Sequence, residues 1–135
     1  MKSLNGNSKT TMAVLLVLGL AALALADSAF RFFGPMNRIL TPNSNVNRLA
    51  ILCFDNPSDS DASGAIYTMF GAHVADLSPR QSAAGTACPS GALPGSTQYV
   101  TWDGRSNGAV VHSGVYIYQV RAEGQSFTGT LLVVR

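Results

Sequence analysis

The chain has 135 residues, 47% of them hydrophobic and 12% charged, which suits one domain with its own core and leaves no room for a multidomain enzyme. Its formal charge of +2 comes from Lys2 and Lys9, which precede a long apolar run; residues 27–135 carry seven Arg against six Asp and one Glu, are formally neutral and hold no lysine. A chain without clustered surplus cations releases few counterions from phosphates, which argues against a nucleic-acid partner.

Ala13 to Ala26 is an uncharged stretch of 14 residues that follows the two lysines and ends in Ala24-Leu25-Ala26. A basic start, a short apolar run and small residues at its end make a secretory signal pattern, so residues 1–26 are expected to form a signal helix that is cut before Asp27. The run falls short of the roughly 20 apolar residues that cross a bilayer, so no stable membrane span is expected after cleavage. The expected destination is extracellular or the cell surface, with the periplasm as the other compartment. Export gives Cys53 and Cys88 their first reading. They are an even pair without CxxC or CxxCH spacing, so in an oxidising compartment they read as a disulfide; the other reading is two separate thiols, with Cys53 a small apolar residue inside a strand.

Residues 27–36 read as an N-terminal extension ahead of a domain over 37–135. Phe30, Phe32 and Phe33 make the extension apolar, and two uses are open for it. It can add a strand to the open sheet edge of a neighbouring copy, which repeated head to tail makes a filament, or it can form the domain's own first strand or a tail. From Arg48 onward the pattern is strands, at Arg48 to Phe54, Gly64 to Phe70, Ala72 to Leu77, Gln98 to Trp102, Ala109 to His112, Val115 to Ala122 and Phe127 to Val134. Asp103-Gly104, Asn107-Gly108, Ser113-Gly114 and Glu123-Gly124 mark tight turns between them. About seven short strands in about 100 residues, with no sustained helical period, predict an all-β antiparallel sandwich of the Ig-like, fibronectin-III-like kind. Ser78 to Gln98 is long for a structureless connection and reads as an insertion tied to Cys53 or as an exposed contact loop.

Trp102-Asp103-Gly104, then Gly114-Val115-Tyr116-Ile117-Tyr118, then Phe127 to Arg135 follow in an order that resembles the Ig-like domain of flagellar hook-capping proteins and of gliding-motility-associated C-terminal domains. Thr41-Pro42-Asn43 resembles the opening of those domains, and Ala65 to Leu77 resembles their central hairpin. The resemblance runs from about residue 37 to 135. It implies an Ig-like sandwich and a role in secretion sorting or assembly scaffolding. The sequence departs from the family after Asn43, where Ser44-Asn45-Val46-Asn47-Arg48 has no carboxylate, so no calcium site is carried over.

Read without the resemblance, Trp102 is a lid on one end of the core, Asp103-Gly104 turns the chain, and Gly114 starts a strand. That strand sends Tyr116, Tyr118 and Val120 one way and Val115, Ile117 and Gln119 the other. One tyrosine hydroxyl is expected to bond a nearby loop as tyrosine corners do. Asp55, Asp59 and Asp61 read as a solvated acidic turn ahead of a metal site. His73 and His112 are too few for zinc. His112, Ser113 and Asp103 lack the elbow and oxyanion loop of a hydrolase, so neither an enzyme nor a cofactor is expected. The leading expectation is a secreted structural or adhesive module that assembles with itself or with other envelope proteins, as in a filament or surface layer. The alternatives are the sorting or scaffold role and a carbohydrate-binding sandwich using Tyr99, Tyr116 and Tyr118.

Overall fold

The structure, a computed structural model, describes residues 30–83, 88–91 and 93–135; the signal segment at 1–26 lies outside them. Every element of the described residues is a strand, and no helix there is long and apolar enough to cross a membrane. In chain order the strands are β1 (Arg31–Pro35), β2 (Ile39–Leu40), β3 (Ala50–Asp55), β4 (Ser63–Thr68), β5 (His73–Leu77) and β6 (Arg80–Gln81). They continue with β7 (Thr97–Trp102), β8 (Arg105–Ser106), β9 (Ala109–Val110), β10 (Gly114–Ala122) and β11 (Gln125–Val133).

Two sheets share one core. The first runs β1-β3-β7-β6 and the second β2-β11-β10-β4-β5, while β8 and β9 make a separate hairpin. All pairings are antiparallel except β2 with β11. The alternation read in the sequence sets what faces inward. Leu52, Phe54, Val100 and Trp102 from the first sheet meet Ile66, Tyr116, Tyr118, Val120, Leu131 and Val133 from the second. Two of the turns require left-handed backbone, and the residues supply it. Asn107 and Gly108 (φ 49° and 83°) join β8 to β9, and Glu123 and Gly124 (φ 50° and 71°) join β10 to β11. Both central residues at positive φ make the two-residue loop whose twist matches the strands it joins.

Of the extension read at 27–36, the described residues 30–36 belong to this chain's own sandwich. β1 pairs with β3, Phe30 is buried at 4% exposure, and Phe30 and Phe127 lie 5.0 Å apart between ring centres. Phe32 stacks on Phe127 at 5.4 Å and reaches Tyr118 at 5.7 Å. The domain therefore begins by Phe30, ahead of the expected residue 37, because these rings close the core where β10 turns into β11. Phe33, opposite a register shift between Phe32 and Gly34, is half-buried.

Candidate functional site

Cys53 and Cys88 form a disulfide with Cα atoms 5.6 Å apart. Cys53 lies on β3 beside Tyr99 of β7, so the bridge anchors the β6–β7 connection to the outer face of the first sheet. Beside it, the Ser96 hydroxyl donates to Asp55, which is only 1% exposed. A Cβ on Gly91 would sit 2.3 Å from Asp55 Oδ1 and 2.4 Å from Ser96 Oγ, so glycine is what lets the backbone pass over the carboxylate. This corrects the reading of a solvated acidic turn at Asp55 only, since Asp59 and Asp61 are exposed. Asp55 is sealed under the strap, Asp59 Oδ1 accepts from Gln98 Nε2 at 3.3 Å, and no group of metal-ligating side chains is found among the described residues.

The remaining polar groups of that turn hold it to the β10–β11 loop. Asn56 Nδ2 donates to Ser60 O (2.8 Å) and to Gln98 Oε1 (3.2 Å), and Asn56 Oδ1 accepts from Ser60 N (3.1 Å). Ser60 Oγ accepts from Glu123 N (2.7 Å), and Glu123 Oε1 accepts from Ser58 N (2.7 Å). Glu123 thus occupies a left-handed turn position because both its amide and its carboxylate are used there. Sequence reading missed this network, since Glu123 lies 63 positions from Ser60 and Gln98 lies 42 from Asn56.

Of the residues carrying the family resemblance, Trp102 to Gly104, Thr41 to Asn43 and Gly114 to Tyr116 gather at one end of the sandwich. Trp102 is 3% exposed, packs edge-on against Tyr116 at 5.3 Å and donates from Nε1 to Arg105 O at 2.9 Å. Asp103 Oδ1 accepts from Arg105 N at 3.1 Å, which fixes the corner. Gly104 has φ 74°, and a Cβ there would lie 2.5 Å from Pro42 Cγ; the fold therefore seats the Thr41-Pro42-Asn43 turn against the Trp102-Asp103-Gly104 corner. Gly114 opens β10, and two residues on the Tyr116 hydroxyl donates to His112 O at 2.8 Å, the loop bond expected of one of the tyrosines. Two clefts of about 390 Å³ meet here at Leu49, Asp103 and Arg105. Of their charges, Asp103 Oδ2 lies 3.8 Å from Arg105 Nε with both side chains exposed, a pairing that contributes little.

Tyr116 and Tyr118 are 8% and 5% exposed, so they offer no exposed aromatic platform. Burial pushes the Tyr118 hydroxyl pKa above the usual tyrosine value, with nearby Arg38 acting in the opposite direction. His73 pairs with Asp76 at 2.8 Å on an exposed strand edge. Ser113 Oγ accepts from Arg135 N at 3.0 Å, which ties it to the C-terminal strand.

The outer face of the second sheet is different in kind. Ile39, Leu132 and Val115 lie side by side across β2, β11 and β10, and Met69 continues the row one step past the Tyr116–Thr68 pair. Their exposures are 48%, 39%, 42% and 57%, and Phe70 in the adjoining turn is fully exposed. Along the same face the residues become polar, through Thr130 and Thr128 to Ser126 and Arg121. This face is the side of β10 that the sequence alternation gives to Val115 and Ile117, opposite the tyrosines; its neighbours Ile39 and Leu132 were not legible as part of it.

No protein-family model matches the chain, and no curated protein matches it.

Proposed function

We propose that this protein is a secreted structural or adhesive module of the Ig-like type that acts through its surface. The observation that carries the reading is the unequal treatment of the two sheets. The outer face of β1-β3-β7-β6 is strapped by a disulfide-anchored loop, whereas the outer face of β2-β11-β10-β4-β5 presents an apolar row to solvent. Contiguous exposed apolar residues mark interaction sites.

The strand order supports the Ig-like type. β1-β3-β7-β6 corresponds to the A, B, E and D strands of that architecture, and β11-β10-β4-β5 to G, F, C and C′. The Tyr116–His112 bond at the start of β10 occupies the place of a tyrosine corner. The disulfide is compatible with an extracellular or periplasmic location. The test is intact-mass analysis of the full chain expressed in a host that exports proteins. The expected product lies outside the cytoplasm, begins at Asp27 and has both thiols oxidised. A cytoplasmic product that retains residues 1–26 and reduced cysteines would contradict the reading.

A further inference from the structure

We infer that the apolar row Ile39–Leu132–Val115–Met69, with Phe70 and Val134 beside it, is the contact surface for a second copy of this chain; the inference rests on the module reading above. Ile39, Leu132, Val115 and Met69 are four apolar neighbours from consecutive strands on one face, and Val134 follows Leu132 on the same side of the C-terminal strand. An antiparallel sheet with one solvated face ordinarily presents polar residues there. From their exposures these six side chains leave roughly 500 Å² of apolar surface in water, near the upper end of the largest patch on a typical monomer. With Thr130, Ile117 and Tyr67 in the next row, the area approaches the roughly 800 Å² per partner of a standard interface.

Among the described residues no other segment covers the row. With the cleavage before Asp27 that the module reading entails, residues 27–29 would stand ahead of Phe30, at most about 10 Å of chain. Phe30 packs on Phe127, five positions along β11 from Leu132, or about 17 Å away. The β6–β7 connection is anchored by Cys88 to the opposite sheet. A second copy fits what remains. Residues 27–135 are formally neutral, so two copies carry no net repulsion. The row is also suited to two-fold pairing. A two-fold axis lying over the face, parallel to the strands and between Leu132 and Val115, lays Ile39 of each copy over Met69 of the other, as an isologous contact requires.

The test is sedimentation equilibrium of the oxidised 27–135 protein across concentration, with the variants Phe70→Ser and Leu132→Arg and the control Thr128→Arg at the polar end of the same strand. Phe70 is fully exposed in a turn, so its replacement tests the surface without burdening the fold. The expected result is a concentration-dependent dimer that Phe70→Ser weakens by about tenfold and Leu132→Arg abolishes, with Thr128→Arg unchanged. Assembly that ignores both patch variants would overturn the inference while leaving the module reading intact. A monomer up to about 1 mM would overturn the inference, as would a monomer that instead binds phospholipid vesicles through the same residues. A product that is never exported would remove the module reading itself.

Discussion

At the residue scale, contacts that a sequence cannot pair set several positions. The Tyr116 hydroxyl reaches back to His112 O, so Tyr116→Phe is expected to lower stability by about 1 kcal/mol in thermal denaturation, the usual net worth of one hydrogen bond. Gly91→Ala should cost more, about 1–3 kcal/mol, because its methyl would overlap Asp55 and Ser96 under the strap. Gly129 sits opposite Tyr118 in the β10–β11 pair, and a Cβ there would be 2.2 Å from the tyrosine oxygen, so the ring lies over the glycine where a side chain would be. Burial raises the pKa of Tyr118 in the folded state, so the unfolded chain loses this proton first as pH rises. The associated stability is complete below the unfolded value of about 10 and is lost as pH climbs through the folded one. Denaturation measured from pH 9 upward should show the decline, and Tyr118→Phe should flatten it. The alternation of β10 gave away the inward direction of both tyrosines. The partners of Gly91 and Gly129 stayed hidden, because a glycine in a sequence does not say what lies where its side chain would be.

At the element scale, the long strands were legible and, β9 apart, the two-residue ones were not. β3, β4, β7, β10 and β11 carry runs of β-branched and aromatic residues bounded by turn residues, and the Asn107-Gly108 and Glu123-Gly124 loops declare their hairpins. β2, β6 and β8 are two residues each, too short to show a period, and exist because a neighbouring strand offers hydrogen-bonding groups, while β9 was read at Ala109 to His112 and spans only Ala109–Val110. β1 was ambiguous for a physical reason: an apolar strand at a chain end reads the same whether its own sandwich or a neighbour's receives it. The rings of Phe30 and Phe32 decide it here by packing on Phe127 and Tyr118. Deleting residues 27–35 should therefore destabilise the domain by at least about 3 kcal/mol in urea titration, since two aromatic side chains leave the core. The disulfide closes a separation of 35 positions, and removing it by Cys53→Ala with Cys88→Ala should cost roughly 3–4 kcal/mol in the same assay.

At the scale of the whole molecule, the two outer faces divide the work. One is closed by the strap over Asp55, so its polar groups are spent on holding the fold. The other keeps an apolar end and a polar end on one sheet, and under the proposed reading it is the apolar end that a second copy meets. The sequence supplied the exposed side of β10 but not its neighbours, because the parallel pairing of β2 with β11 brings Ile39 from nearly a hundred positions away. The measurement that tests this division most directly is a dilution series of two-dimensional amide NMR spectra of the oxidised 27–135 protein. Shift changes should gather at Ile39, Met69, Phe70, Val115, Leu132 and Val134 and leave Cys88 to Ser96 untouched. Changes centred on β1 or on the strap, with the apolar row silent, would contradict the assignment of the open face as the working surface.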